Sequence, residues 1–165
     1  MHVSKLRLFA LSAAAVLLTS CAKEALEAAQ EQGVASSSCG QPGARLQASF
    51  SGGAYCASGN ITAIGDSASV IVTGFDLMGR TLMIQFDSLA PGTQSITAAH
   101  NGILFMSTGN SYTIHPQHPG TLTITAFDAA NRRLKASFSA QLMNEMSGHS
   151  LNAQGEVDVT YTVQE

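Results

Sequence analysis

Beyond residue 40 the chain alternates apolar and polar residues one for one along short runs. In segment 45–50, Leu46, Ala48 and Phe50 fall on one side, and Arg45, Gln47 and Ser49 on the other. Segment 81–87 sets Leu82, Ile84 and Phe86 against Thr81, Met83 and Gln85. Segment 134–141 sets Leu134, Ala136, Phe138 and Ala140 against Lys135, Ser137, Ser139 and Gln141. Segment 156–163 does the same with Val157, Val159, Tyr161 and Val163. A period of two puts successive side chains on opposite faces, the pattern of a strand with one buried face. Segments 54–57, 61–64, 69–75, 93–97, 103–107 and 120–127 read as further strands. Turn residues separate the runs: Ser51-Gly52-Gly53, Asp76-Leu77-Met78-Gly79, Pro91-Gly92 as a type II turn, and Asp128-Ala129-Ala130-Asn131. No helix longer than a turn is needed. The spacing predicts an all-β domain over 44–165, an antiparallel β-sandwich of roughly 8–10 strands.

The first forty residues follow a different pattern. Lys5 and Arg7 precede an apolar stretch over 8–18 with no charged residue. It has the length of a secretory signal core and is too short to span a bilayer. Segment 22–32 is rich in helix formers, yet Leu26 is its only bulky apolar residue, so a helix there has no face to bury. Gly33 stops it and Ser36-Ser37-Ser38 continues as linker. Residues 21–43 therefore read as a short helical or flexible tether.

Between those segments stands Leu18-Thr19-Ser20-Cys21. An aliphatic residue three positions before a cysteine, with small residues between, resembles the lipobox of bacterial lipoproteins. The resemblance implies that residues 1–20 are a cleaved signal peptide and that Cys21 carries a diacylglyceryl group on its thiol. It also implies a lipid-anchored protein of the bacterial cell envelope. Ala22, rather than the aspartate that retains some lipoproteins in the inner membrane, implies the outer membrane. The strand sequences Ala44–Tyr55, 120–128 and 134–139 are similar to those of small uncharacterised envelope lipoproteins with a β-sandwich domain. Ala136 stands where that family often has glycine, and no catalytic residues come with the likeness.

Charge narrows the functional classes. Of 165 residues only 12% are charged, about half the roughly 25% usual in globular chains. Loss of residues 1–20 would leave six basic against eleven acidic side chains, a net of −5. That excludes a polyelectrolyte nucleic-acid binder and leaves the acyl chains to hold the protein to the membrane.

With Cys21 acylated, Cys39 and Cys56 remain as an even pair in an oxidising compartment. A bridge between them closes a loop of about 18 residues, worth about 3 kcal/mol. His115-Pro116-Gln117-His118-Pro119 is the segment richest in potential chemistry. His115 and His118 are weak candidates for a metal pair, with His100, Asp87 or Asp128 as a third ligand. The prolines deny them the helix on which an H-x-x-H pair converges, so a rigid loop and no metal or other cofactor is the expectation. No Gly-x-Ser-x-Gly elbow accompanies the serines, and Ser51-Gly-Gly and Ser147-Gly-His read as turns.

The sequence thus points to a non-enzymatic, membrane-anchored envelope lipoprotein acting as a structural or binding module, with an envelope protein or glycan as partner and no catalytic residue. The alternative is a carbohydrate- or peptide-binding lipoprotein for nutrient capture, which calls for an aromatic platform drawn from Tyr55, Phe75, Tyr112 and Phe127. A hydrolase is the weakest of the three readings.

Overall fold

The computed structural model describes residues 39–51, 53–57 and 61–163. The signal segment, Cys21, the helical reading of 22–32 and Gly52 lie outside the described residues. Twelve strands form in chain order: β1 Ala44–Phe50, β2 Gly53–Cys56, β3 Ile61–Gly65, β4 Val70–Phe75, β5 Thr81–Phe86, β6 Gly92–Ile96, β7 Ile103–Ser107, β8 Asn110–Ile114, β9 Gly120–Asp128, β10 Arg133–Met143, β11 Ser150–Thr160 and β12 Thr162–Val163. The domain is all-β, and among the described residues there is no helix.

The alternating runs form strands where their period is cleanest. β1 buries Leu46, Ala48 and Phe50, and β10 buries Leu134, Ala136, Phe138, Ala140 and Leu142, in step with the pattern. Three features depart from the sequence expectation, and the first two raise the ten expected strands to twelve among the described residues. Asn110–Ile114 pairs with β7 as β8. The strand expected at 156–163 begins at Ser150, because 150–155 is held along β10. It then breaks at Tyr161, which lies past the start of β10 and donates its N–H to Arg132 O, in the turn before that strand, at 2.9 Å. Pro91-Gly92 turns the chain into β6 with Gly92 at φ 130°, away from the about +80° of a type II turn.

Pairing runs β12-β3-β4-β5-β7-β8-β10-β11-β1-β2, with β9 joined to β10 and β6 to β9. All pairs are antiparallel except β12 with β3. β10 makes the corner: along one edge, 133–139 pairs with β9 and its last two residues, Leu142 and Met143, pair with β8. Because β12 continues β11 beyond Tyr161, its pairing with β3 closes a hydrogen-bonded circuit through β4, β5, β7, β8, β10 and β11. The two path ends outside this circuit are β2 and β6, both short, which limits the unpaired backbone offered to other chains.

One apolar core draws on β1 to β11, and its aromatic centre lies where β1 and β2 meet β7. The Phe50 ring stacks on Phe105 at 3.8 Å, and Tyr55 meets both edge-on. Gly74 allows this approach: a Cβ there would lie 2.5 Å from Ala57 Cβ and 2.8 Å from Leu46 Cδ2. The buried Tyr55 hydroxyl donates to Gly74 O at 2.6 Å and accepts from Leu82 N at 3.2 Å. Burial pushes its pKa up to about 12. Cys39 and Cys56 form a disulfide with Cα atoms 5.4 Å apart. The bridge ties Cys39, where the compact unit begins, to the end of β2.

Candidate functional site

The outward face of β1, β11, β10, β9 and β6 is a continuous polar surface assembled by register. Gln47 lies beside Glu156, Glu156 beside Ser137, Ser137 beside Thr123, and Thr123 beside Thr93. One step along the strands, Ser49, Gln154, Ser139, Thr121 and Ser95 form a second row. Neighbouring side chains bond across strands, as with Gln47 Nε2 to Glu156 Oε2 at 3.2 Å and the Thr93 and Thr123 hydroxyls at 3.2 Å. Five strands spaced by about 4.8 Å give a face about 19 Å wide. Six residue rises of about 3.4 Å, from Arg45 to Ser51, make it about 20 Å long.

An open groove of about 660 Å³ crosses the end of this face nearest the β1–β2 turn. Beside His118, Pro119, Ala140 and Ala153, it is lined by the polar side chains of Ser49, Ser51, Thr121, Ser139, Gln141, Asn152 and Gln154. These are neutral donors and acceptors, matched to hydroxyl and amide groups rather than to an ion.

The opposite end of the face is charged. Arg45, Asp158 and Lys135 stand side by side on β1, β11 and β10. Asp158 Oδ1 accepts from Arg133 Nε at 3.0 Å and from Gly43 N at 3.3 Å. Its Oδ2 accepts from Arg133 Nη2 at 3.0 Å and lies 3.4 Å from Lys135 Nζ. Burial alone would push this carboxyl up, but the hydrogen bonds from Arg133 and Lys135 outweigh it and hold it below the usual carboxylate range. Arg45 Nε is enclosed without a hydrogen-bond partner among the described residues.

The chain does bring His115 and His118 together, with ring centroids 4.4 Å apart. The Gln117 N–H donates to His115 Nδ1 at 3.2 Å. That bond engages Nδ1 within the loop, so a metal at this nitrogen would compete with a backbone donor. Neither His100, Asp87 nor Asp128 joins them: among the described residues no three His, Cys, Asp or Glu side chains converge on a metal position. Asp87 is instead tied to the loop beside His100, accepting from Asn101 N at 2.7 Å and from Gln85 Nε2 at 2.6 Å. Replacing His115 and His118 together by Gln is expected to change stability by less than about 0.5 kcal/mol. Added zinc is expected to leave the melting temperature of both forms unchanged, and a saturable rise in the natural chain alone would contradict this.

The serines singled out as turns have their hydroxyls engaged there. Ser147 Oγ donates to Asn144 Oδ1 at 3.1 Å, and the nearby His149 meets it through its backbone N–H, not its ring. Ser51 Oγ accepts from Asn152 N at 3.2 Å. Asp66, Asp76, Asp87, Asp128 and Asp158 are all held below the ordinary range by hydrogen bonds. A glycosidase acid needs the opposite shift.

The four aromatics considered for a stacking platform are not gathered. Tyr55 is buried, Phe75 lies at the outer end of β4, Tyr112 packs against Phe105 and His149, and Phe127 stacks on Tyr161. What sequence reasoning missed is the polar face itself. Each strand alone shows only its own outward serines and threonines, and it is the pairing of β1 and β6, both remote in sequence, with the consecutive strands β9, β10 and β11 that lines them up. Compared with known protein families, curated proteins and solved structures, the chain matches none of them.

Proposed function

We propose that this chain is a lipid-anchored lipoprotein of the bacterial envelope, resident in the outer membrane, whose β domain is a non-catalytic binding module. The anchor rests on the lipobox at Leu18–Cys21. The domain is read as a two-layer sandwich, a reading supported by the packing of Phe50 on Phe105 and of Leu46 over Gly74. The observation that carries the binding reading is the open groove lined by neutral hydroxyl and amide groups. A surface of that chemistry suits a glycan or an extended peptide of the envelope, held by many modest hydrogen bonds.

Affinity capture of the lipidated protein from its own envelope tests the reading. Partners are identified by mass spectrometry of proteins and by glycan analysis. A reproducible partner is expected with the natural chain and is expected to be lost when Thr121 and Ser139 are both replaced by Arg. Both positions are exposed, so the fold tolerates the change. Recovery of glycan without protein favours the nutrient-capture form of the reading. Equal recovery with the doubly substituted chain would contradict the assignment of this face.

A further inference from the structure

The large apolar side chains most exposed to solvent gather at one end of the domain. Leu77 and Met78, in the β4–β5 turn, are 96% and 79% exposed, and Met146, in the β10–β11 turn, is 87% exposed. Strand direction places both turns at the same end as the β7–β8 turn. Thr81 pairs with Met106 and Met106 with Ser111, whose carbonyl accepts from Asn144 Nδ2 at 3.0 Å. Phe75 and Met106 are exposed beside them.

These side chains are held outward by firm turns. Asp76 Oδ1 accepts from Met78 N and Arg80 N at 2.9 Å each. Arg80 pairs with Asp76, donates to Ala54 O, and lies 5.7 Å from the Tyr55 ring centre. In the other turn Asn144 Oδ1 accepts from Met146 N at 3.0 Å and Ser147 N at 2.9 Å. The formal charges of these two turns are the paired Asp76 and Arg80 and the single Glu145, whereas the far end carries Asp66, Asp87, Asp128, Arg132, Arg133 and Asp158.

We propose that this end of the domain contacts the lipid bilayer, with Leu77, Met78 and Met146 entering its interfacial layer. The inference rests on the lipid-anchor reading, which puts a bilayer within reach. Seventeen residues separate Cys21 from Cys39, a length that spans at most about 60 Å. Cys39 is bonded to Cys56, and Ala54, two residues earlier, holds Arg80 at the base of the β4–β5 turn. Cys39 thus sits at mid-height of β1 and β2, beside Leu46 and Gln47, and that span lets the anchored chain bring this end of the domain to the bilayer. Leu77 and Met78 on one turn and Met146 on another project separately rather than forming one recessed patch, a shape suited to insertion into a fluid layer. Unbranched Met and flexible Leu suit a fluid apolar phase. With this end down, the strands stand on the membrane and the row of Arg45, Asp158 and Lys135 lies farthest from it.

Methionine oxidation reads the contact directly. The chain from residue 21 onward, with Cys21→Ser and hence no acyl group, is treated with peroxide with and without an excess of phosphatidylcholine vesicles. Met78 and Met146 are expected to oxidise at least about fivefold more slowly with vesicles, while half-buried Met83 on β5 is unaffected. The triple substitution Leu77→Ser, Met78→Ser, Met146→Ser is expected to weaken vesicle binding at least about tenfold with an unchanged melting temperature. Equal oxidation with and without vesicles would overturn the inference. So would protection that appears without lipid and grows with protein concentration, which would assign this end to a second copy of the chain. Flotation of the natural lipidated chain reads the anchor separately, so failure of one reading is distinguishable from failure of the other.

Discussion

Replacing Gly155 by alanine is expected to destabilise the domain by about 3 kcal/mol or more. Gly155 lies in the middle of β11, between Ala48 on β1 and Phe138 on β10. A Cβ at this position would fall 2.3 Å from Gln47 O and 2.6 Å from Phe138 Cζ. The phenyl ring occupies the space the missing side chain leaves. Rotating that ring relieves only half of the conflict, because the other obstacle is backbone, and moving it breaks the β1–β11 ladder. Urea unfolding measures the loss. Gln154→Ala, one residue away on the outward face, serves as the control and is expected to stay within about 0.5 kcal/mol of the natural chain. A Gly155→Ala midpoint indistinguishable from the control would contradict the packing described for this strand.

Loss of the Cys39–Cys56 bridge is the second large effect. Its removal by Cys39→Ala with Cys56→Ala, or by reductant on the natural chain, is expected to cost about 2–4 kcal/mol. Part of the effect is entropic, since the bridge restricts the unfolded chain. Part is local: Cys39 is buried and β2 is a four-residue edge strand paired only to β1. Tyr55 sits next to Cys56, and its hydroxyl ties Gly74 O to Leu82 N, so loosening β2 disturbs the core directly. The intact bridge shows as a mass two hydrogens below the reduced form, with both thiols closed to alkylation until reductant is added. An unfolding midpoint insensitive to reductant would contradict the role given to it.

The fold was legible wherever a strand has one wet and one dry face. β1 and β10 alternate cleanly, and β5 does so after its buried first residue Thr81, because their outer sides meet water and their inner sides the core. β8 escaped notice because Asn110–Ile114 buries only Ile114 fully. Its signal was the preceding turn, where Thr108 and Gly109 take φ of 48° and 79°, the conformation of a two-residue hairpin. The first half of β11 was hidden for the opposite reason. Asn152 and Gln154 alternate with Ala153 and Gly155, residues too small to register as a hydrophobic face. Near its end Val157, Asp158 and Val159 are all buried, since the Arg133 guanidinium and Lys135 cover the carboxylate.

The disulfide could be read from cysteine counting, because removing Cys21 from the tally leaves a pair. The polar face could not, because its rows join residues as far apart as Ser49 and Gln154. Period two says which residues point outward from one strand. It does not say which strand lies alongside, and the continuous polar face exists only at that level.

The measurement that tests the account most directly is intact and peptide mass spectrometry of the mature protein's first residue, purified from its own envelope. The account predicts a chain that begins at Cys21, with a diacylglyceryl group on the thiol and a fatty acyl group on the new amino terminus. It also predicts that Cys21→Ser carries no fatty acid and moves from the membrane to the soluble fraction. A mature chain with a free Cys21 thiol, cleavage at another position, or fatty acid retained by Cys21→Ser would contradict it.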